Sequence, residues 1–124
     1  MADIPVEVKT LKDKMLQKQY FVMTRKMIDP GKLAPVLLDH YRYMIELEKQ
    51  GKVFASGPMF EKDGQQGVGM TVFRADSWEE AEQLAGADPF CEAGAVGFGI
   101  QRWQVNEGRV NISIDFSDQT YSMS

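Results

Sequence analysis

The hydrophobic period switches repeatedly between strand-like and helix-like along residues 19–105, and that alternation constrains the fold more than any other feature. Gln19 to Met27 is dense in β-formers, with the run Tyr20-Phe21-Val22-Met23-Thr24 as a first strand. Asp29-Pro30-Gly31 reads as a turn. Leu33, Leu37, His40, Met44 and Leu47 then recur at helical spacing, the inward stripe of an amphipathic helix that stops at Gly51. A second strand starts at Val53-Phe54-Ala55 and runs into Ser56-Gly57-Pro58. The polar segment Glu61 to Gly67 is a hairpin loop, and Val68 to Ala75 a third strand. Ser77-Trp78-Glu79-Glu80 is a capping box, with Ser77 at the N-cap and Glu80 reaching back, and its helix ends near Gly86. Asp88-Pro89-Phe90 restarts a short helical turn, with Asp at the N-cap and Pro at the first position. A fourth strand covers Gly97 to Val105.

This β-α-β-β-α-β order is the ferredoxin-like arrangement, an α+β fold in which helices cover one face of an antiparallel sheet. The other sheet face is left bare, so a homodimer packed sheet to sheet is expected. Residues 1–18 are expected to form an arm or a short helix over 6–17, and 19–105 the ferredoxin-like domain. In the segment 106–124, Val110, Ile112, Ile114 and Phe116 alternate with polar residues as an extra C-terminal strand, followed by a tail. That strand extends either the subunit's own sheet or a partner's.

With 124 residues the chain suits one domain with a single core. A formal net charge of −4, with Lys and Arg scattered, offers nothing to nucleic acid or to an anionic membrane. No apolar run approaches a membrane span, and Met1 to Pro5 lacks the order of a signal peptide. The single cysteine, Cys91, forms no internal disulfide, and with one histidine it makes no metal site. A cytoplasmic setting is the expectation.

His40, the only histidine, occupies a stripe position where an ordinary helix places leucine. An imidazole facing the interior needs a hydrogen-bond partner, and histidine is the side-chain type suited to proton transfer near neutral pH. His40 is therefore the first candidate for acid–base chemistry, against the alternative of a packed core histidine. Asp88 is sufficiently explained as a helix cap, and also suits a partner role. Cys91 reads as a packed thiol.

Three segments carry a resemblance: Leu37-Leu38-Asp39-His40-Tyr41-Arg42-Tyr43-Met44, Ser56-Gly57-Pro58 and Ala87-Asp88-Pro89-Phe90. In this order, with a strand closing on Trp103, they resemble the YciI-like proteins of the dimeric α+β barrel superfamily over roughly residues 19–105. The resemblance implies a dimeric α/β barrel with a His–Asp pair in a cleft between helix and sheet, His40 and Asp88 being the catalytic pair. It also implies a small polar residue, Ser56, beside the pair, and Gly57 where a ligand approaches the backbone. By residue type, Phe90, Phe54 and Tyr20 are expected as pocket walls, with Arg25 or Arg42 as the cation for a phenolate.

The wider superfamily includes cofactor-free enzymes of aromatic catabolism, among them muconolactone isomerases and a dehydrochlorinase of chlorinated hydroxyquinol. The resemblance thus implies a lyase that removes HCl from a small aromatic substrate with neither cofactor nor metal. A muconolactone-type isomerase and a non-catalytic ligand-binding module are the alternatives.

Overall fold

A computed structural model describes residues 3–123 and divides the chain into two compact units. One is Gln19–Gln104; the other is built from the two ends of the chain, up to Lys18 and from Val105. In the larger unit, four strands form one sheet: β1 (Lys18–Met27), β2 (Val53–Phe60), β3 (Gln66–Phe73) and β4 (Val96–Val105). Their order, β2-β3-β1-β4, is the ferredoxin-like α+β topology, because each helical connection skips one strand. Numbering helices along the whole chain, the connections are α2 (Leu37–Lys49) between β1 and β2, and α3 (Trp78–Gly86) with α4 (Pro89–Glu92) between β3 and β4.

The register follows from alternation. Phe21 pairs with Phe73 and Met23 with Thr71 in the antiparallel β1/β3 ladder. Odd-numbered residues of β1 therefore face the helices, where Phe21, Met23 and Phe73 are buried with Leu47, Ala81 and Ala85. Tyr20 lies on the opposite face, its ring 5.0 Å from Phe54 and 6.2 Å from Trp103. Phe54, Met70 and Trp103 are exposed.

Two local expectations change. Leu33 sits between two 3-10 turns, Pro30–Lys32 and Ala34–Val36, before α2 begins at Leu37. Pro35 falls in the second turn, and a proline disfavours the α conformation at the residue before it, here Ala34. At α3, Ser77 Oγ accepts from Glu80 N at 3.1 Å as an N-cap should. The Glu80 carboxylate, however, takes Lys52 Nζ at 2.7 Å.

The smaller unit holds α1 (Val6–Asp13) and a hairpin of β5 (Ile112–Asp115) with β6 (Thr120–Met123). The anticipated C-terminal strand is β5, and its partner is the tail of the same chain. Ile112 faces Met123 and Ile114 faces Tyr121, which places four apolar side chains on one face of the ribbon. No helix among the described residues is long and apolar enough to cross a membrane.

Candidate active site

A cavity of about 650 Å³ opens in the larger unit between α2 and the β2/β3 side of the sheet. The N-terminal part of the α2 stripe walls it with Leu37 and His40, whereas Leu47, further along, is buried in the core. Ser56, Gly57 and Phe90 also line it, as do Arg25 and Phe54. Tyr20 and Arg42 are not among its walls; Tyr20 packs on the other sheet face and Arg42 is exposed. Both departures follow from parity: Tyr20 is one strand residue out of step with Phe21, and Arg42 is off the α2 stripe.

His40 and Asp88 meet despite their 48-residue separation: Nδ1 lies 2.7 Å from Asp88 Oδ1. Asp88 is 1% exposed and sits at the N-cap of α4, where Oδ1 also accepts from Phe90 N at 3.0 Å. The capping and partner readings of Asp88 are thus both met by one carboxylate. Its other oxygen, Oδ2, accepts from Arg25 Nε at 3.0 Å and forms an ion pair with Nη2 at 2.9 Å. Burial pushes the Asp88 pKa up, but hydrogen bonds from His40 and Phe90 and the charges of Arg25 and His40 outweigh it, holding the carboxyl below its ordinary 3.8. An ionised carboxylate is acceptor-only, so the proton of a neutral His40 ring resides on Nδ1. Nε2 is then the lone-pair nitrogen, and no described residue bonds it. Because no buried side-chain N or O among the described residues lacks a partner, Nε2 is the solvent-reached edge of the ring. Phe90 stacks flat on the imidazole, 3.8 Å between centroids and 9° between planes, fixing its orientation.

Arg25 also donates Nη1 to Thr71 Oγ1 at 2.9 Å, and Thr71 Oγ1 lies 2.7 Å from Ser56 Oγ. Its role as the brace of Asp88 was not read from the sequence, nor was Thr71. The signal for Arg25 was present: Phe21, Met23 and Arg25 share one strand face, and a cation on a core face requires a buried counter-ion. Thr71 carried no signal, since threonine is ordinary in strands. Gly57 sits over open space, because a Cβ there would meet nothing within 4 Å. Gly69 is different: a Cβ would come within 3.1 Å of Gly57 O, so a side chain there would push the β2 backbone back by a few tenths of an ångström. No group of three or more His, Cys, Asp or Glu among the described residues is placed to hold a metal ion.

Two neighbouring acids are held neutral. Burial, with Asp88 adding repulsion, raises the Cys91 thiol to about 11, and the same two causes raise Tyr43 to about 12. Tyr43 donates to Leu84 O at 2.7 Å, tying α2 to α3. Raised folded values for neutral acids mean that this stability is intact below about pH 9 and is lost as pH climbs towards 12. The urea midpoint, followed by circular dichroism, is expected to fall across that range, and Tyr43→Phe to flatten the fall.

A four-stranded antiparallel sheet, one helical layer and a His–Asp pair at a cavity between them define a small ferredoxin-like α+β protein with an acid–base-capable site. The chain matches the YCII-related domain over residues 19–103 and belongs to that family. It is 29% identical over 68 residues to the uncharacterized protein YjpA of Bacillus subtilis (strain 168), spanning 55% of this chain and 75% of that one. Among solved structures it is similar to 5-chloro-2-hydroxyhydroquinone dehydrochlorinase (TftG) from Burkholderia phenoliruptrix AC1100, in complex with 2,5-dihydroxybenzoquinone. The TM-score is 0.52 at 25% identity, covering 68% of this chain and 92% of that chain.

Proposed function

We propose that this chain is a cofactor-independent lyase that eliminates HCl from a chlorinated hydroxyquinol, giving a hydroxyquinone. The observation that carries the reading is the imidazole of His40, tied at Nδ1 to Asp88 and open at Nε2 in a largely apolar cavity. The likeness to a dehydrochlorinase that binds a dihydroxybenzoquinone supports the substrate class. The reaction needs no redox partner. His40 Nε2 takes the proton of the hydroxyl adjacent to the C–Cl carbon and returns it to that carbon, giving a keto tautomer with an sp³ C–Cl centre. Loss of the proton from the hydroxyl para to the first then drives an electron pair through the ring and expels chloride. The substrate loses one H⁺ and one Cl⁻, and the organic product is the hydroxyquinone. Asp88 fixes the ring tautomer and stabilises the imidazolium, and general-base help of this kind is worth roughly 10²–10⁴-fold. Phe90, Ser56 and Gly57 are the substrate contacts in this reading.

The direct test is chloride release from 5-chlorohydroxyquinol by purified protein, compared with the spontaneous rate. Release above that rate is the expected result; release equal to it overturns the assignment.

The exposed Phe54, Met70 and Trp103 on the helix-free sheet face support a homodimer packed through that face. Sedimentation equilibrium is expected to give twice the 14.0 kDa of one chain, and Trp103→Asp to give a single chain. A wild-type monomer at micromolar concentration contradicts this packing.

A further inference from the structure

Arg25 is a buried cation, 4% exposed, with hydrogen bonds to Asp88, to Thr71 and, weakly, to Met44 Sδ. Nε and Nη2 hold Asp88, and Nη1 holds Thr71. Thr71 is fully buried, and its hydroxyl oxygen has two neighbours, Arg25 Nη1 at 2.9 Å and Ser56 Oγ at 2.7 Å. A guanidinium can only donate, so Thr71 Oγ1 accepts from Arg25. The Thr71 proton then has one destination, Ser56 Oγ, because any other direction leaves a buried donor unsatisfied. Ser56 Oγ accepts that bond, and its own proton is left for the cavity that Ser56 lines.

We propose that Ser56 is a directed hydrogen-bond donor to an anionic ligand oxygen, and that Thr71 and Arg25 are positioning residues that fix the direction of its proton. One buried guanidinium thereby sets the polarity of both polar edges of the cavity. Through Asp88 it leaves His40 Nε2 as an acceptor; through Thr71 it leaves Ser56 as a donor. A site with these two edges is complementary to a molecule that gives up a proton at one oxygen while negative charge builds on another, a phenol becoming a phenolate or an enol an enolate. The ligand class rests on the reading under Proposed function, whereas the direction of the hydroxyl chain rests on the geometry alone.

The test titrates wild type, Ser56→Ala, Thr71→Val, Thr71→Ser and the double variant Ser56→Ala/Thr71→Val with 2,5-dihydroxybenzoquinone by calorimetry. Ser56→Ala and Thr71→Val are each expected to weaken binding about tenfold, as the loss of one charge-assisted hydrogen bond does. The double variant is expected to bind no more weakly than either single one, since both remove the same bond. Thr71→Ser, which keeps the hydroxyl, is expected to bind within about twofold of wild type, a rescue that lost packing alone does not produce. Wild-type affinity in Thr71→Val, multiplied losses in the double variant, or no binding by wild type overturns the proposal. Should Thr71→Val not fold, Thr71→Cys takes its place, because a thiol is a weak donor and a poor relay. Chloride release measured on the same samples separates the two readings. No release with this binding pattern intact removes the lyase assignment alone. Release with no dependence of binding on Thr71 removes the hydroxyl chain alone.

Discussion

His40→Ala is expected to lower chloride release from 5-chlorohydroxyquinol by about 10²–10⁴-fold, towards the spontaneous rate, while the protein stays folded. The side chain is nearly buried, but its loss leaves Asp88 with two of its three hydrogen bonds and with its ion pair to Arg25. Asp88→Asn is the informative companion. Arg25 presents only donors, so the carboxamide is expected to turn its oxygen to Arg25 and its NH₂ towards His40. Nδ1 then accepts, the ring proton moves to Nε2, and the cavity faces a donor where the base should be. Activity is expected to fall to a level near that of His40→Ala, with the histidine still present. Comparison of kcat/KM at equal folded concentration checks both variants, and release retained in His40→Ala removes His40 as the base.

The second large effect is on stability. Arg25→Met is expected to cost about 3–5 kcal/mol, because it leaves the Asp88 carboxylate buried without its cation. For a unit of this size that is a fall in Tm of more than about 10 °C. The pH dependence follows from the Asp88 carboxyl being held below 3.8. A depressed folded value means that the ionised form contributes stability above the unfolded value, and that this is lost as pH falls through the folded one. Wild type is therefore expected to weaken below about pH 4, whereas Arg25→Met starts lower at neutral pH and falls less steeply in acid. The double variant Arg25→Met/Asp88→Asn is expected to cost less than the two single costs combined, since both act on one buried pair. Thermal melts at pH 3.5 and 7 check this, and an Arg25→Met melt within a few degrees of wild type at pH 7 removes the brace.

Much of the fold was legible because local signals agreed with one another. The β-former run at Tyr20, the cap at Ser77 and the Asp-Pro turn at Asp88 each sit where the structure has an element boundary or a strand. The hairpin partner β6 escaped because its turn has neither glycine nor asparagine at the left-handed position. Gln119 holds the left-handed conformation at φ 58°, where glycine or asparagine is the common occupant, while Asp118 Oδ1 takes both Thr120 N and Oγ1. At the site, His40 stood out as a polar interruption of an apolar stripe, and Asp88 through its cap motif. Thr71 was not found as a site residue, and Arg25 was read only as a cation for a phenolate, because their roles depend on which strands lie side by side. Met23 pairing with Thr71, and Thr71 with Ser56, is a register fact that no single strand encodes. Tyr20 was misplaced as a pocket wall for the same reason: aromatic type says nothing about sheet face.

The central claim concerns one proton on one ring, and the chain has a single histidine, so its side-chain ¹⁵N spectrum contains one imidazole. We would record that spectrum on wild type and Asp88→Asn and read the neutral form of the ring. The account predicts a protonated Nδ1 and a lone-pair Nε2 in wild type, with the pattern reversed in Asp88→Asn and Nε2 shifting when 2,5-dihydroxybenzoquinone is added. A wild-type ring carrying its proton on Nε2 contradicts it, because the nitrogen facing the cavity is then a donor and not the base.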